Sequence, residues 1–198
     1  MIVGYHLIWT AYGWWLPNDP RGSMSHGIAA DVLAQLGEVH YGRKKLQPAG
    51  WVIRDFYEQA QHFLKHELLK LDADDIAIIA ESFAATVRRK KYTCYACAIM
   101  PDHVHVLIRK HRDHAEVMIE ALQTESRDVL IERRLRNSDH PVWGGPGWKV
   151  FLDDRDDIER TIRYIEQNPV KLGKPVQRWE FVTPYDGWLP GMWTPYRK

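Results

Sequence analysis

Ala98-Ile99-Met100-Pro101-Asp102-His103-Val104-His105-Val106-Leu107 is the stretch whose reading decides the fold. It sits between two apolar runs, residues 92–99 and 104–109, rich in aromatic and β-branched residues and read as strands. Pro101 and Asp102 are turn formers, so the two strands should fold back on each other as an antiparallel hairpin. Because side chains alternate along a strand, His103 and His105 should share one face with their Cα atoms about 7 Å apart, while Val104 points into the core.

Working outward towards the N-terminus, residues 74–91 carry Ile76, Ile79, Ala80, Phe83, Ala84 and Val87 at helical spacing. Asp72 can cap that helix, and Arg88-Arg89-Lys90-Lys91 complements its C-terminal dipole. Phe56, Ala60, Phe63, Leu64 and Leu68 predict an earlier helix over 52–71. Residues 22–50 show no sustained period and read as an insertion with one short helix at 29–36. The stretch from Gly13 to Gly22 is dense in Gly, Pro, Asn and Asp and predicts a loop. Ahead of it, Tyr5-His6-Leu7-Ile8-Trp9-Thr10 reads as a strand. Towards the C-terminus a helix is expected over 114–135, then a short strand at 149–152. Asp153 to Asp157 should open a helix over 158–167 that stops at Asn168-Pro169. The tail from 170 to 198 reads as coil wrapping the core.

The order β-α-α-β-β-α-β-α predicts an α+β fold, an antiparallel sheet with helices packed on it. At 198 residues the chain is expected to form a single domain, with a loop insertion at about 13–50 and C-terminal coil at about 170–198. A net charge of +1 gives no global argument for a polyanion partner, so any nucleic-acid site must come from local clustering. No leader-like start and no apolar run of membrane length is evident, so a cytoplasmic protein with no membrane partner is expected. Cys94 and Cys97 lie three apart on a strand, hence on opposite faces, and read as packing thiols rather than a metal or redox pair.

Two groups of residues could do chemistry. His103 and His105 can bind one divalent ion, although any strand alternating polar and apolar residues can produce His-x-His. Tyr164 precedes Asn168 by four residues, which puts a phenol and an amide on one helix face. Taken alone, Tyr164 can be merely amphipathic and Asn168 a C-cap before Pro169. Together they specify a reaction. Two imidazoles and a carboxamide oxygen make a mixed N/O site suited to Mg²⁺ or Mn²⁺ carrying a substrate phosphate. A phenolate beside it could attack phosphorus, given help in losing a proton whose free pKa is near 10.

The stretch Ala98 to Leu107 resembles the HUH motif of the single-tyrosine HUH transposases. Arg163-Tyr164-Ile165-Glu166-Gln167-Asn168-Pro169-Val170 resembles the tyrosine helix of the same family, especially its REP-associated tyrosine transposase branch. The likeness runs from Tyr5-His6-Leu7 through both motifs to Leu172-Gly173. It implies a ferredoxin-like core, Mg²⁺ or Mn²⁺ held by His103, His105 and Asn168, and Tyr164 as the nucleophile. It also implies cleavage of single-stranded DNA near hairpins through a 5′-phosphotyrosine with release of a 3′-OH, by a monomer or homodimer. The chain departs from the compact pattern in its long 13–50 insertion and in Lys174-Pro175 after Leu172-Gly173.

Single-strand DNA binding combines basic grooves with aromatic platforms. Trp14, Trp15, Arg21, Arg133 and Arg134 are the candidates, with Arg43, Lys44, Lys45, Arg136, Trp143, Trp148, Trp188 and Trp193 as further aromatic or charged surface. Against this, each tryptophan can simply cover the core, and Arg133-Arg134 can complement a helix dipole. His6 could lie near the metal, but a satisfied core histidine is the favoured reading. His62 and His66 read as surface. The rival functions are a domesticated hairpin binder that does not cut, and a metal-dependent nuclease that uses water as nucleophile.

Overall fold

The structure, a computed structural model, describes residues 1–28, 31–42, 44–134 and 139–191. Four strands, β1 (Gly4–Thr10), β2 (Cys94–Ile99), β3 (His103–Arg109) and β4 (Trp148–Leu152), form one sheet in the order β2-β3-β1-β4. Every pairing is antiparallel. The helices are α1 (Gly50–Gln61), α2 (Ala73–Lys90), α3 (Ala115–Arg134) and α4 (Arg155–Lys171). With α1 and α2 read as one crossover, this is the β-α-β-β-α-β path of a ferredoxin-like fold, followed by α4.

Alternation along the central strands sorts the core into two layers. Leu7, Trp9, Val104, Val106 and Ile108 face a cluster built with Ile79, Phe83, Met118 and Leu122 of α2 and α3. Leu107, Tyr95, Ala98 and Leu152 face the other way and meet Ile158 and Ile165 of α4. His103 and His105 share the parity of Leu107, so they lie on the α4 side. The sequence expectation for this strand therefore holds. Asp72 caps α2 in a capping box with Asp75, and Lys91 ends that helix in a left-handed conformation.

Four local expectations need correction. The helix expected over 52–71 ends at Gln61. Leu64 and Leu68, which prolonged its period, instead fold back under the 13–22 loop, where Gly13 leaves no room for a side chain: a Cβ there would sit 2.6 Å from Leu68 Cδ2. The expected helix at 29–36 is a 3-10 turn over Asp31–Leu36, residues 29 and 30 lying outside the described set. Helix α4 runs through Pro169 to Lys171 rather than stopping at Gln167. Only two helical residues follow the proline, so its ring can disturb no more than the end of the helix, and Asn168 becomes a helical residue instead of a cap.

The fourth correction concerns the cysteines. A register shift between Cys94 and Ala96 puts Tyr95 and Ala96 in the α4 layer and returns both Cys94 and Cys97 to the α2–α3 layer. The two thiols thus share a face, as free and buried packing groups. On the outer side of β2, Gln177 bonds the Ile99 N–H and C=O at 2.8 Å each, so the C-terminal coil covers what would be an open sheet edge. Among the described residues no helix is long and apolar enough to cross a membrane.

Candidate active site

The site forms where α4 crosses the two central strands. Thr10 pairs with His103 and Ile8 with His105, which puts His6, two residues before Ile8, diagonally across from His105 on the same face. The His103 and His105 rings lie 4.8 Å apart. Tyr164 places its ring 5.4 Å from that of His105 and 6.0 Å from that of His6. Helix α4 is fixed at its start by the Asp154 side chain, which accepts from the Asp157 N–H at 2.8 Å. One turn beyond Tyr164, Asn168 is 9% exposed and its Nδ2 donates to the Tyr164 carbonyl at 2.9 Å. Donation by Nδ2 leaves the amide oxygen for another partner. Lys171, two turns along the same face, holds its Nζ 4.8 Å from the Tyr164 ring centre.

Both histidines of β3 are braced at Nδ1. His103 Nδ1 lies 2.7 Å from Asp102 Oδ1, and His105 Nδ1 lies 2.9 Å from His6 Nε2. Burial pushes the Asp102 carboxyl up, but the hydrogen bond and charge of His103, with Arg21 beyond, outweigh it and hold the group below its ordinary value. Burial pushes His6 down to about 4. Burial, with the repulsion a second positive charge would meet from a protonated His103 or His6 and from Lys171, holds His105 well below the ordinary imidazole value. His6 and His105 are therefore neutral at pH 7, the form that binds metals.

These depressed values fix the acid response. The unfolded chain takes up protons near 6.5 whereas folded His6 resists until about 4, so stability is full above 6.5 and is lost as pH falls. At pH 4.5 the shift of His6 alone costs about 2–3 kcal/mol. Urea midpoints at pH 7.5 and 4.5 should differ accordingly, and less so in His6→Leu; equal dependence in both proteins would contradict the assignment.

Among the described residues, no three His, Cys, Asp or Glu side chains converge as a ready metal cage. What is present is two braced imidazoles on one strand face and an amide oxygen on the facing helix. This donor set fits an ion that also takes oxygen from substrate and water, as Mg²⁺ and Mn²⁺ do.

The proposed DNA contacts separate. Trp15 is brought to the site: its ring lies 5.1 Å from that of His103, and Arg21 sits 3.9 Å above it. Trp15 reaches that place with φ at +53°, its N–H donating to Tyr57 Oη at 2.8 Å. Arg21 donates to both oxygens of fully buried Asp19, through Nε at 3.0 Å and Nη2 at 2.7 Å. Tyr57 donates to Asp19 as well, closing the cluster. Trp14 turns the other way, bonding the Leu69 carbonyl at 2.7 Å and packing 4.6 Å from Tyr57. Arg133 pairs with Glu81, and Arg134 with Asp72, Asp74 and Asp75, on the α2–α3 side of the sheet away from Tyr164. Arg43, Arg136 and Trp193 lie outside the described residues.

Two residues of the site were not singled out from the sequence: Asp102, which directly precedes His103, and Lys171, which follows Tyr164 by two helical turns. His6, which the sequence reading allowed near a metal but favoured as a core histidine, is buried against His105.

No protein-family model matches the chain. A protein of Haemophilus influenzae that carries the name REP-associated tyrosine transposase is 25% identical over 143 residues, spanning 65% of this chain and 81% of that one. Over those residues the chain resembles a REP-associated tyrosine transposase in sequence. Among solved structures, a REP-associated tyrosine transposase bound to a REP hairpin gives a TM-score of 0.44 at 11% identity, covering 86% of this chain and 68% of that one. A Deinococcus radiodurans protein assigned as a transposase gives 0.36 at 14% identity, covering 84% and 91%. Both structural likenesses are loose.

Proposed function

We propose that the chain is a DNA strand transferase that cuts and rejoins single-stranded, hairpin-bearing DNA through a 5′-phosphotyrosine on Tyr164. The observation that carries this reading is the position of the Tyr164 ring, 5.4 Å from the buried, neutral His105. A solvent-reachable phenol facing a pair of braced imidazoles is suited to nucleophilic attack on a phosphodiester. His103, His105 and Asn168 would hold Mg²⁺ or Mn²⁺, which when bound supplies Lewis-acid polarisation of the scissile phosphate. Tyr164 Oη attacks the phosphorus and loses its proton. The P–O3′ bond breaks, leaving a 3′-OH and the 5′-phosphate on the tyrosine; attack by a 3′-OH reverses the step and rejoins the strand. Lys171, held over the Tyr164 ring with its Nζ 4.8 Å from the ring centre, places a positive charge beside the attacking group, where a substrate phosphate would lie. Trp15, carried in by the 13–50 insertion, offers a ring beside His103 on which a base flanking the scissile phosphate can stack.

Under this reading residues 1–198 act as one domain, with the insertion as its substrate arm. Cellular DNA is the substrate, and the cytoplasm is the proposed location. Arg133 and Arg134, committed to carboxylates across the sheet, do not enter the site. They would touch DNA only where a long hairpin wraps round the domain.

Incubating the protein with Mn²⁺ and a panel of single-stranded hairpin oligonucleotides should give a DNA-linked band that survives denaturation. The band should vanish with EDTA and in His103→Ala. A panel that is bound but never linked would sink the transferase reading, and a band indifferent to EDTA would sink the metal.

A further inference from the structure

A histidine binds a metal through the nitrogen that lacks a proton, so the partner of its other nitrogen selects which nitrogen that is. For His103 the partner is Asp102, which can only accept from Nδ1 while it is ionised. In a metal-binding, neutral His103, Nδ1 therefore carries the proton and Nε2 the lone pair. For His105 the partner is another imidazole, and the 2.9 Å contact between its Nδ1 and His6 Nε2 admits two arrangements. If His6 donates, the neutral His105 must carry its proton on Nε2 and that nitrogen cannot ligate. If His105 donates, Nε2 is free, and both histidines of β3 present the same nitrogen to the same face.

We propose that His6 on β1 is the positioning residue of the site: it accepts the Nδ1 proton of His105, fixes the Nε2 lone pair of that ligand, and is not itself a ligand. This rests on the reading that His103 and His105 hold the ion. The surroundings of His6 suit the task. It is 6% exposed, and its ring is tilted by 33° to that of His105 at 5.1 Å. Tyr164 closes its other side, edge-on at 6.0 Å. A buried ring clamped between its partner and the nucleophile has few rotamers to visit, so the acceptor stays aimed. The two arms of the site then differ in kind. His103 is backed by an anion, which raises its basicity as a ligand, whereas His105 is backed by a neutral ring that orients it without adding charge. One strong and one weaker arm would hold an ion that can exchange or shift as the phosphate arrives and leaves.

The test uses the whole chain with Mn²⁺ alone, read by electron paramagnetic resonance titration, and the tautomer of His105 in the metal-free protein, read by nitrogen NMR. His6→Leu removes the acceptor at similar volume, and His6→Gln restores one through Oε1. His6→Leu should bind Mn²⁺ about 10–100-fold more weakly, the scale on which such partners act, and His6→Gln should recover most of the loss. Wild-type His105 should carry its proton on Nδ1. Wild-type affinity retained in a folded His6→Leu overturns the proposal alone, as does a loss in His6→Gln as large as in His6→Leu. A wild-type His105 protonated on Nε2 also overturns it, whether or not the variants fold. Wild-type protein that binds no Mn²⁺ overturns the metal reading and takes the proposal with it.

Discussion

Replacing Tyr164 by Phe should abolish the covalent DNA adduct and strand cleavage, by more than about a thousandfold, the range in which removing a nucleophile acts. Hairpin binding should stay within about twofold, as expected of a surface change worth no more than about 0.5 kcal/mol. The separation is clean because the substitution removes one oxygen only. Tyr164 is 37% exposed, and among the described residues no hydrogen bond reaches its hydroxyl. Its ring contacts with His105 and His6 are edge contacts that Phe can keep. Thermal stability should not change measurably, so lost activity cannot be laid to lost structure. Gel assays for the adduct and for product strands, with fluorescence anisotropy for binding, read the three quantities separately. Cleavage that persists in the variant without an adduct would mean that water is the nucleophile, and the metal-dependent nuclease would replace the transferase. A wild-type chain that binds hairpins and never cuts them would leave a binding protein.

How far the sequence reached is best seen in which residues it placed together. The turn at Met100-Pro101-Asp102 and the alternation through His103-Val104-His105 are local, so the hairpin and the shared face of the two histidines were legible. So was the capping of α2 by Asp72, for the same reason. The pairing of β1 between β3 and β4 was not written in any one stretch, and with it went the contact of His6 with His105, 99 residues away, which decides between the two readings of that histidine. Local rules failed where tertiary packing overrode them. Leu64 and Leu68 kept a helical period but are partly buried against the 13–22 loop instead. Pro169 reads as a stop, yet the helix closes only two residues beyond it, so its ring disturbs little of α4. One register shift in β2 reversed the parity on which the cysteine argument depended. Trp14 and Trp15 are neighbours in sequence with opposite fates, divided by a positive φ at Trp15 that composition does not reveal.

That same Trp15 hangs on a buried charge pair, and Asp19→Ala is expected to cost about 3–5 kcal/mol of stability, the usual result of stranding one partner of a buried pair. Asp19 is fully buried and takes hydrogen bonds from Arg21 Nε and Nη2 and from the Tyr57 hydroxyl. Without it Arg21, whose side chain is only 16% exposed, keeps its charge and loses its counter-ion. The Tyr57 phenol, pushed up by burial and by Asp19, stays protonated and is left with a donor that has lost its acceptor. For a chain of this length each kcal/mol moves Tm by about 2–4 °C, so a fall of about 10 °C is expected in a thermal melt. Asp153→Ala, at an exposed position, should change Tm by no more than about 2 °C. The double variant Asp19→Leu with Arg21→Met should recover part of the loss, because no unpaired charge remains buried. If the double variant melts no higher than Asp19→Ala, packing rather than charge holds the insertion. The cluster is also what carries Trp15 to His103, through Arg21 above the ring and Tyr57 at its backbone. Below its lowered Tm, folded Asp19→Ala protein should therefore still bind Mn²⁺ while its affinity for single strands falls, since the proposed metal donors are on β3 and α4 and only the proposed stacking ring has lost its support.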